Sequence, residues 1–117
     1  MKNFIQAGDT VTLPAPYAVS SGDGALVGSI FGVAVMDAAQ GDDVPLKTSG
    51  VFELPKAGSQ AWDAGDLVYW DDGNKQCTSV DSGNVLIGAA LADVANGADD
   101  TLGKVRLNGA FGFPIAA

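Results

Sequence analysis

The chain of 117 residues carries 14 acidic and 6 basic side chains, for a formal net charge of −8. The few basic residues are scattered, which argues against nucleic acid as a partner because binding phosphates requires clustered Lys and Arg. No apolar run reaches the ~20 residues of a membrane helix, and the first ten residues do not form a secretion signal, so no membrane association is expected.

The length predicts one compact domain over residues 1–117, and the 16 glycines favour short strands over long helices. Strand patterns begin at residues 9–13 (DTVTL), where polar and apolar side chains alternate. Residues 25–36 (ALVGSIFGVAVM) predict one long bent strand or two strands, since Gly28 or Gly32 allows a kink or bulge. A loop with at most one helical turn is predicted at residues 37–43. Residues 44–55 predict a pair of strands that meet near the TSG sequence.

The second half continues the same pattern. A short helical turn is allowed within residues 56–66, and further strands are predicted at 67–70, 75–80, 85–92 and 103–109. The segments between them are rich in Asp, Asn and Gly, which favour turns. Turn signals recur about every 8–12 residues, as in β-sandwiches and barrels. The predicted fold class is therefore all-β, a compact β-barrel-like domain of short antiparallel strands with at most one or two short helical turns.

Two short segments in the first half of the chain weakly resemble two segments in the second half, in the same order. GDTVTL (8–13) resembles GDLVYW (65–70), and SGDGALVG (21–28) resembles SGNVLIG (82–88). These similarities predict either two equivalent strand–turn–strand units in a shared barrel or a coincidence in a glycine-rich sequence.

The segment at residues 71–78 is the most distinctive candidate for a chemical site. Asp71, Asp72 and Asn74 offer oxygen ligands, but the alternation of acids and the final Glu of a calcium-binding loop are missing, and Lys75 opposes a cation. We interpret the segment as a hairpin turn and expect neither a metal nor another cofactor. Cys77 is the single cysteine, so no intrachain disulfide forms, and it is interpreted as a free structural thiol.

Catalysis is poorly supported by the sequence. The chain has no histidine, so neither a Ser–His–Asp nor a Cys–His arrangement can form. We expect a protein that is not an enzyme.

The aromatic residues suggest contacts instead. Tyr69 and Trp70 are adjacent, so a strand points them to opposite faces. One is expected in the core and the other at a subunit contact, where Tyr and Trp are enriched, although a bent sheet would allow both to be core. An alternative is a small β-barrel ligand-binding module in which Trp62, Tyr69 and Trp70 form a stacking platform.

Six segments, taken in order, resemble the small capsid cement, or head decoration, proteins of tailed phages and prophages. They extend from Met1 to about Gly112 and read MKNFIQAGDTVTL, GALVGSIFGVAV, GVFELPK, GDLVYWDDGNKQCT, LIGAALADVANGADD and GKVRLNG.

The resemblance implies a non-enzymatic phage structural protein that binds the outer surface of the assembled capsid and stabilises it. It implies the major capsid protein and further copies of the chain as partners, in a homo-oligomer that is often a trimer. The expected location is the virion capsid surface, after a period in the bacterial cytoplasm before assembly. Another virion component, such as a tail or head–tail connector protein, is the alternative of the same kind.

The two chain ends supply further candidate contact residues. Phe4 and Ile5 form an apolar pair ahead of the first strand, expected either to dock on the capsid or a neighbouring subunit or to fold back on the barrel. Phe111 and Phe113 lie in an apolar tail that suggests a subunit interface. Segments 1–8 and 110–117 are therefore expected to be extended arms, and Tyr69 and Trp70 complete the candidate set.

Overall fold

The computed structural model describes residues 8–108 and 113–114. Within these residues the chain forms strands and no helix, which confirms the predicted all-β class. No helix long and apolar enough to span a membrane occurs in this described part of the chain. The strands are β1 Thr10–Pro14, β2 Gly24–Val27, β3 Ile30–Ala34, β4 Asp43–Lys47, β5 Ser49–Pro55, β6 Leu67–Asp71, β7 Gln76–Thr78, β8 Val85–Ala90, β9 Leu102–Asn108 and β10 Phe113–Pro114.

The strands form two antiparallel sheets. The first sheet has the order β1-β4-β3-β2, and the second has the order β5-β9-β8-β6-β7, with β10 paired to β8. The second sheet curls into a half-barrel. Its two ends approach each other where Lys56, just after β5, bridges Cys77 of β7, and the Ala57 N–H donates to the Cys77 carbonyl at 2.8 Å.

Two predicted strand segments take a more specific form in the structure. Residues 25–36 contain two strands, joined by a turn at Gly28, whose φ of 60° suits glycine. Gly32 is needed for close packing and not for a kink, because a Cβ there would lie 2.7 Å from that of Leu46. The two strands predicted within residues 44–55 exist as β4 and β5, but they belong to different sheets.

The two sheets repeat one connectivity. The order β1-β4-β3-β2 matches β5-β9-β8-β6 strand for strand, and the register matches too. Pro14 pairs with Asp43 in the first sheet, and Pro55 pairs with Leu102 at the corresponding place in the second. We call residues 10–47 the first repeat and residues 49–108 the second repeat.

The turn before the second strand of each repeat is built in the same way. The Ser20 N–H donates to the Asp23 carboxylate, and the Ser21 N–H donates to Asp37. In the second repeat the Asp63 N–H donates to Asp66, and the Ala64 N–H donates to Asp93. Four local hydrogen bonds thus reproduce the equivalence that the strand register shows.

The repeats are equivalent in a different alignment from the one that the sequence similarities predicted. β1 corresponds to β5 and not to β6, so the predicted equivalence of residues 8–13 and 65–70 was wrong. β2 corresponds to β6 and not to β8, so the predicted equivalence of residues 21–28 and 82–88 was wrong as well. Equivalent positions in the two repeats share their strand register more than their residue identity. Short similarities in a glycine-rich chain therefore indicated the wrong alignment of the two halves.

Each repeat has its own hydrophobic core, and the first core is made of smaller side chains. It contains Ala15, Val19, Ala25, Ala34, Val44 and Leu46. The second core contains Leu54, Trp62, Val68, Trp70, Cys77, Ile87, Ala90, Val105 and Leu107, and it also takes in Phe31 and Val33 from the first repeat. These two shared side chains pack one repeat against the other.

The second repeat also contains a hairpin that the first one lacks. A turn joins β2 to β3 directly, whereas residues 71–84 separate β6 from β8 and include β7. This insertion lies along the outer edge of β6 and carries the acidic turn that the sequence marked as distinctive.

Candidate interaction surfaces

The structure places the sequence-predicted contact residues in three different settings. Phe4, Ile5 and Phe111 lie outside the described residues. Phe113 belongs to β10, whose backbone pairs with β8 at Leu86. Tyr69 and Trp70 are neighbours on β6 and point to opposite faces, as the strand geometry predicts.

Trp70 is a core residue of the second repeat. Its side chain is 1% exposed, and its ring centroid lies 4.9 Å from that of Phe31. Its indole Nε1–H donates to the Asp72 carboxylate at 3.0 Å, which satisfies the only polar atom of the side chain. Of the two adjacent aromatic residues, Tyr69 is therefore the one with a surface-facing side chain.

Asp72 links the inserted hairpin to the first repeat. The same oxygen that binds Trp70 accepts a hydrogen bond from the Tyr17 hydroxyl at 2.9 Å. The Lys75 ammonium lies 3.7 Å from Asp72 and 4.2 Å from the centre of the Tyr17 ring. The Tyr17 hydroxyl in turn accepts from the N–H of Leu26 at 3.3 Å, which covers part of the open edge of β2. We call these side chains the inter-repeat junction (Tyr17, Trp70, Asp72, Lys75).

Burial and the neighbouring Asp72 carboxylate raise the pKa of Tyr17 to about 12. Because the folded-state pKa lies above the ordinary value of 10.0, the stabilisation is complete below pH 10 and is lost as the pH rises toward about 12. In a Tyr69→Phe variant only Tyr17 can report tyrosine ionisation. Its ultraviolet absorbance should change near pH 12, with circular dichroism showing a folded chain up to that transition. Ionisation near pH 10 in a folded chain would contradict this expectation.

A small cavity of about 260 Å³ adjoins the junction, lined by Tyr17, Gly24, Pro55, Trp70 and Lys75 among others. It is smaller than typical ligand pockets, which begin near 300 Å³. Trp62 and Trp70 are each 1% exposed, and Tyr69 points away from Trp70. The structure therefore does not bring these three rings together in an exposed stacking platform.

The acidic segment forms a turn held by its own hydrogen bonds. The Asp71 carboxylate accepts from the Gly73 N–H, the Asn74 N–H and the Asn74 side-chain amide. The Asn74 side chain is the main cause of a lowered pKa at Asp71. Within residues 8–108, no group of three or more acidic or cysteine side chains is gathered to hold a metal ion.

Cys77 is a buried free thiol in β7. Burial raises its pKa to about 12, and because the thiolate is the reactive form, the native thiol should be inert. At pH 8 a disulfide reagent should modify Cys77 only after denaturant unfolds the chain. A Ser79→Cys variant supplies an exposed thiol nearby as the matched control. Equal reaction rates at both positions in the native protein would contradict the buried setting.

The second sheet presents a surface of mixed apolar and charged side chains on the side away from its core. A row of four side chains crosses it in register: Val51 pairs with Arg106, Arg106 with Ala89, and Ala89 with Leu67. Val51 and Leu67 at the two ends are 51% and 55% exposed. We call this surface the outer face; it comprises Val51, Glu53, Leu67, Tyr69, Leu86, Ala89, Lys104 and Arg106, with Glu53 directly opposite Lys104 in register.

A shallow groove of about 160 Å³ runs across the outer face between Leu67, Leu86, Ala89 and Arg106. A β-bulge between β6 and β8 shapes it, because the register shifts after Val68. Sequence reasoning identified Tyr69 but missed the other residues of the outer face. Successive side chains of β5, β6 and β9 alternate in direction, so each strand has an outward side. Only the register between the strands shows that these outward sides lie next to each other.

Comparison with known proteins gives one informative result. A family model described as phage cement protein matches residues 5–107, a range that includes β1 to β8 and most of β9. No curated protein and no solved structure gives a significant match. The match confirms the resemblance drawn from the six sequence segments.

Proposed function

Since this chain belongs to the phage cement protein family, we propose that it binds the outer surface of the assembled capsid and stabilises the shell. The family itself implies a structural role on a phage capsid. The observation that supports the finer proposal most is the extent of the match, which includes nearly all strands of both repeats. We further propose that the direct partner is the major capsid protein and that the chain has no enzymatic activity.

The proposed mechanism is a binding linkage. A protein that binds the assembled shell and not its separate subunits shifts the equilibrium toward the shell. Each copy needs only a modest contact, because many copies act on one shell. In an oligomer, docking of one subunit raises the effective concentration of the others at their sites. We therefore propose a homo-oligomer, with a trimer as the expected form.

The chain ends remain proposed contact segments. Phe4 and Ile5 precede β1, and an apolar pair at the end of a chain can add contact area when it orders on a partner. Phe111 and Phe113 belong to an apolar tail, which we propose lies at a subunit contact. On β6, we propose Tyr69 as the contact residue, since Trp70 is occupied in the core.

The test is sedimentation of the purified protein with capsids of its own phage that lack it. We expect co-sedimentation at a ratio that follows the number of major capsid subunits, with label spread over the whole shell in electron micrographs. Binding only at one vertex would favour the tail or head–tail connector alternative. Absence of binding to both unexpanded and expanded shells would remove the proposal.

A further inference from the structure

We propose that Asn96 is a site of spontaneous covalent modification, namely deamidation through a succinimide, and that the Asp100 carboxylate protects it in the folded chain. The inference concerns the chain itself and goes beyond the proposed binding to a capsid. It follows from the way in which the structure holds the backbone nitrogen of Gly97, the atom that would attack the Asn96 side chain.

The sequence places an exposed asparagine directly before a glycine, at Asn96 and Gly97. In deamidation the backbone nitrogen of Gly97 attacks the Cγ carbon of Asn96. A C–N bond forms, the Cγ–Nδ2 bond breaks, and the displaced amide leaves as ammonia with the proton that the nitrogen gives up. Water then opens the succinimide at either carbonyl, which yields aspartate or isoaspartate. Asparagine is a labile residue type, and a following glycine favours the attack because no Cβ shields the nitrogen.

The structure fixes the Gly97 nitrogen in a turn. The Gly97 N–H donates to the Asp100 carboxylate at 3.0 Å, and the Asp100 N–H donates back to the Gly97 carbonyl at 3.1 Å. The Ser59 N–H donates to the same carbonyl at 3.0 Å. To react, the nitrogen must give up its proton and turn toward the Asn96 side chain. A hydrogen bond to a carboxylate opposes both steps, so the folded chain should react only when this turn opens.

The same carboxylate explains why residue 97 is glycine. A Cβ at Gly97 would lie 2.5 Å from the Asp100 carboxylate oxygen, so any larger residue would displace the carboxylate and break its hydrogen bond. The close packing of this turn thus requires the residue type that makes Asn96 labile. The contact that requires the glycine is also the one that protects the asparagine before it.

Other turns in the described part of the chain have the same pair of hydrogen bonds without an asparagine. The Ser20 N–H donates to the Asp23 carboxylate at 2.9 Å, and the Asp23 N–H donates back to the Ser20 carbonyl at 2.9 Å. Asp66 closes a further turn in this way. The residue before Ser20 is Val19, which has no amide to lose. An aspartate is therefore a common means of closing turns in this fold, and it acquires a protective role at Asn96.

Modification at Asn96 would loosen a segment that helps to close the second sheet. Isoaspartate adds a methylene to the main chain directly before the Gly97 carbonyl, which binds Ser59. Three residues later the Asp100 carbonyl accepts from the ammonium of Lys56, a residue that is only 1% exposed, so a shift of this turn would remove an acceptor from a buried charge. Protection matters for a protein of a phage particle, because a particle outside its host cannot replace a damaged subunit.

The test follows deamidation by peptide mapping and mass spectrometry of the purified protein at pH 8, with no capsid present. Trypsin cleaves after Lys75, Lys104 and Arg106, so Asn96 and the other asparagine followed by glycine, Asn108, fall in different peptides. Wild type should modify Asn96 at least about tenfold more slowly when folded than in urea. Asp100→Ala should raise the rate in the folded chain at least about tenfold, as expected for loss of a hydrogen bond to a charged acceptor.

Asp23→Ala is the matched control, because it removes the same kind of hydrogen bond and the same charge from a turn of the first repeat. It should leave the rate at Asn96 unchanged. Asp100→Asn, which retains an acceptor oxygen, should react at an intermediate rate, and circular dichroism identifies which variants are folded. Three results would each overturn the inference: equal rates for wild type when folded and in urea, a wild-type rate in a folded Asp100 variant, or equal acceleration by Asp23→Ala and Asp100→Ala.

Discussion

Replacing Trp70 with alanine is expected to lower the free energy of unfolding by about 3–5 kcal/mol. The side chain is 1% exposed and packs on Phe31 and Gly24 of the first repeat. Truncation would leave a cavity where the two repeats meet and would remove the hydrogen bond to Asp72. A loss of this size is a large share of the roughly 5–15 kcal/mol that stabilises a typical domain.

The measurement is urea unfolding followed by far-ultraviolet circular dichroism. Trp70→Phe is the matched control, since it keeps an aromatic ring but loses the hydrogen bond and part of the ring volume, and it should cost about 2 kcal/mol, less than Trp70→Ala. We also propose that both repeats form one cooperative domain, so wild type should unfold in a single transition. A loss below about 1 kcal/mol in Trp70→Ala would contradict the central packing of this ring.

The second large effect is a coupling between Trp62 and Gly103. A Cβ added at Gly103 would overlap the Trp62 ring, so Gly103→Val should destabilise the fold by about 3 kcal/mol through overpacking. Trp62→Val should also cost about 3 kcal/mol, because it leaves a cavity in the core. The first repeat places Val19 and Val44 at the two equivalent positions, so the double variant recreates a pair that this fold already uses.

The double variant should therefore lose less stability than the sum of the two single changes, by about 2 kcal/mol, a usual size for contacting residues. Four unfolding curves, for wild type, both single variants and the double variant, give this coupling energy directly. If the two losses are additive, the smaller side chain at position 62 does not make room for the larger one at position 103. The proposed equivalence of packing in the two repeats would then be wrong.

Local patterns in the sequence were sufficient to predict most strands. Alternation predicted β1 and β9, and the Asp71–Asn74 turn follows from side chains that bond their own backbone. Adjacent positions on one strand also separated Tyr69 from Trp70. The sequence alone left open which of the two is buried, because both faces of β6 carry large side chains.

Pairing between distant strands could not be predicted from these patterns. β4 and β5 are consecutive but enter different sheets, and β5 pairs with β9 near the end of the chain. The repeat could not be detected from the sequence because the side chains at equivalent positions differ in size. Trp62 and Gly103, for example, correspond to Val19 and Val44. The weak signals that do recur are Leu-Pro at 13–14 and 54–55 and the spacing from Gly32 to Asp37 and from Gly88 to Asp93. The row that contains Val51, Arg106 and Leu67 can be recognised only when the strand register is known.

The most direct test of the cement proposal is the heat stability of the shell. Capsids that lack the protein would be heated with and without saturating amounts of it, and release of packaged DNA would be followed by dye fluorescence. The proposal predicts release at a higher temperature when the protein is bound, because binding to the intact shell alone stabilises that state. Release at the same temperature, with the protein shown to be bound, would contradict a cementing role.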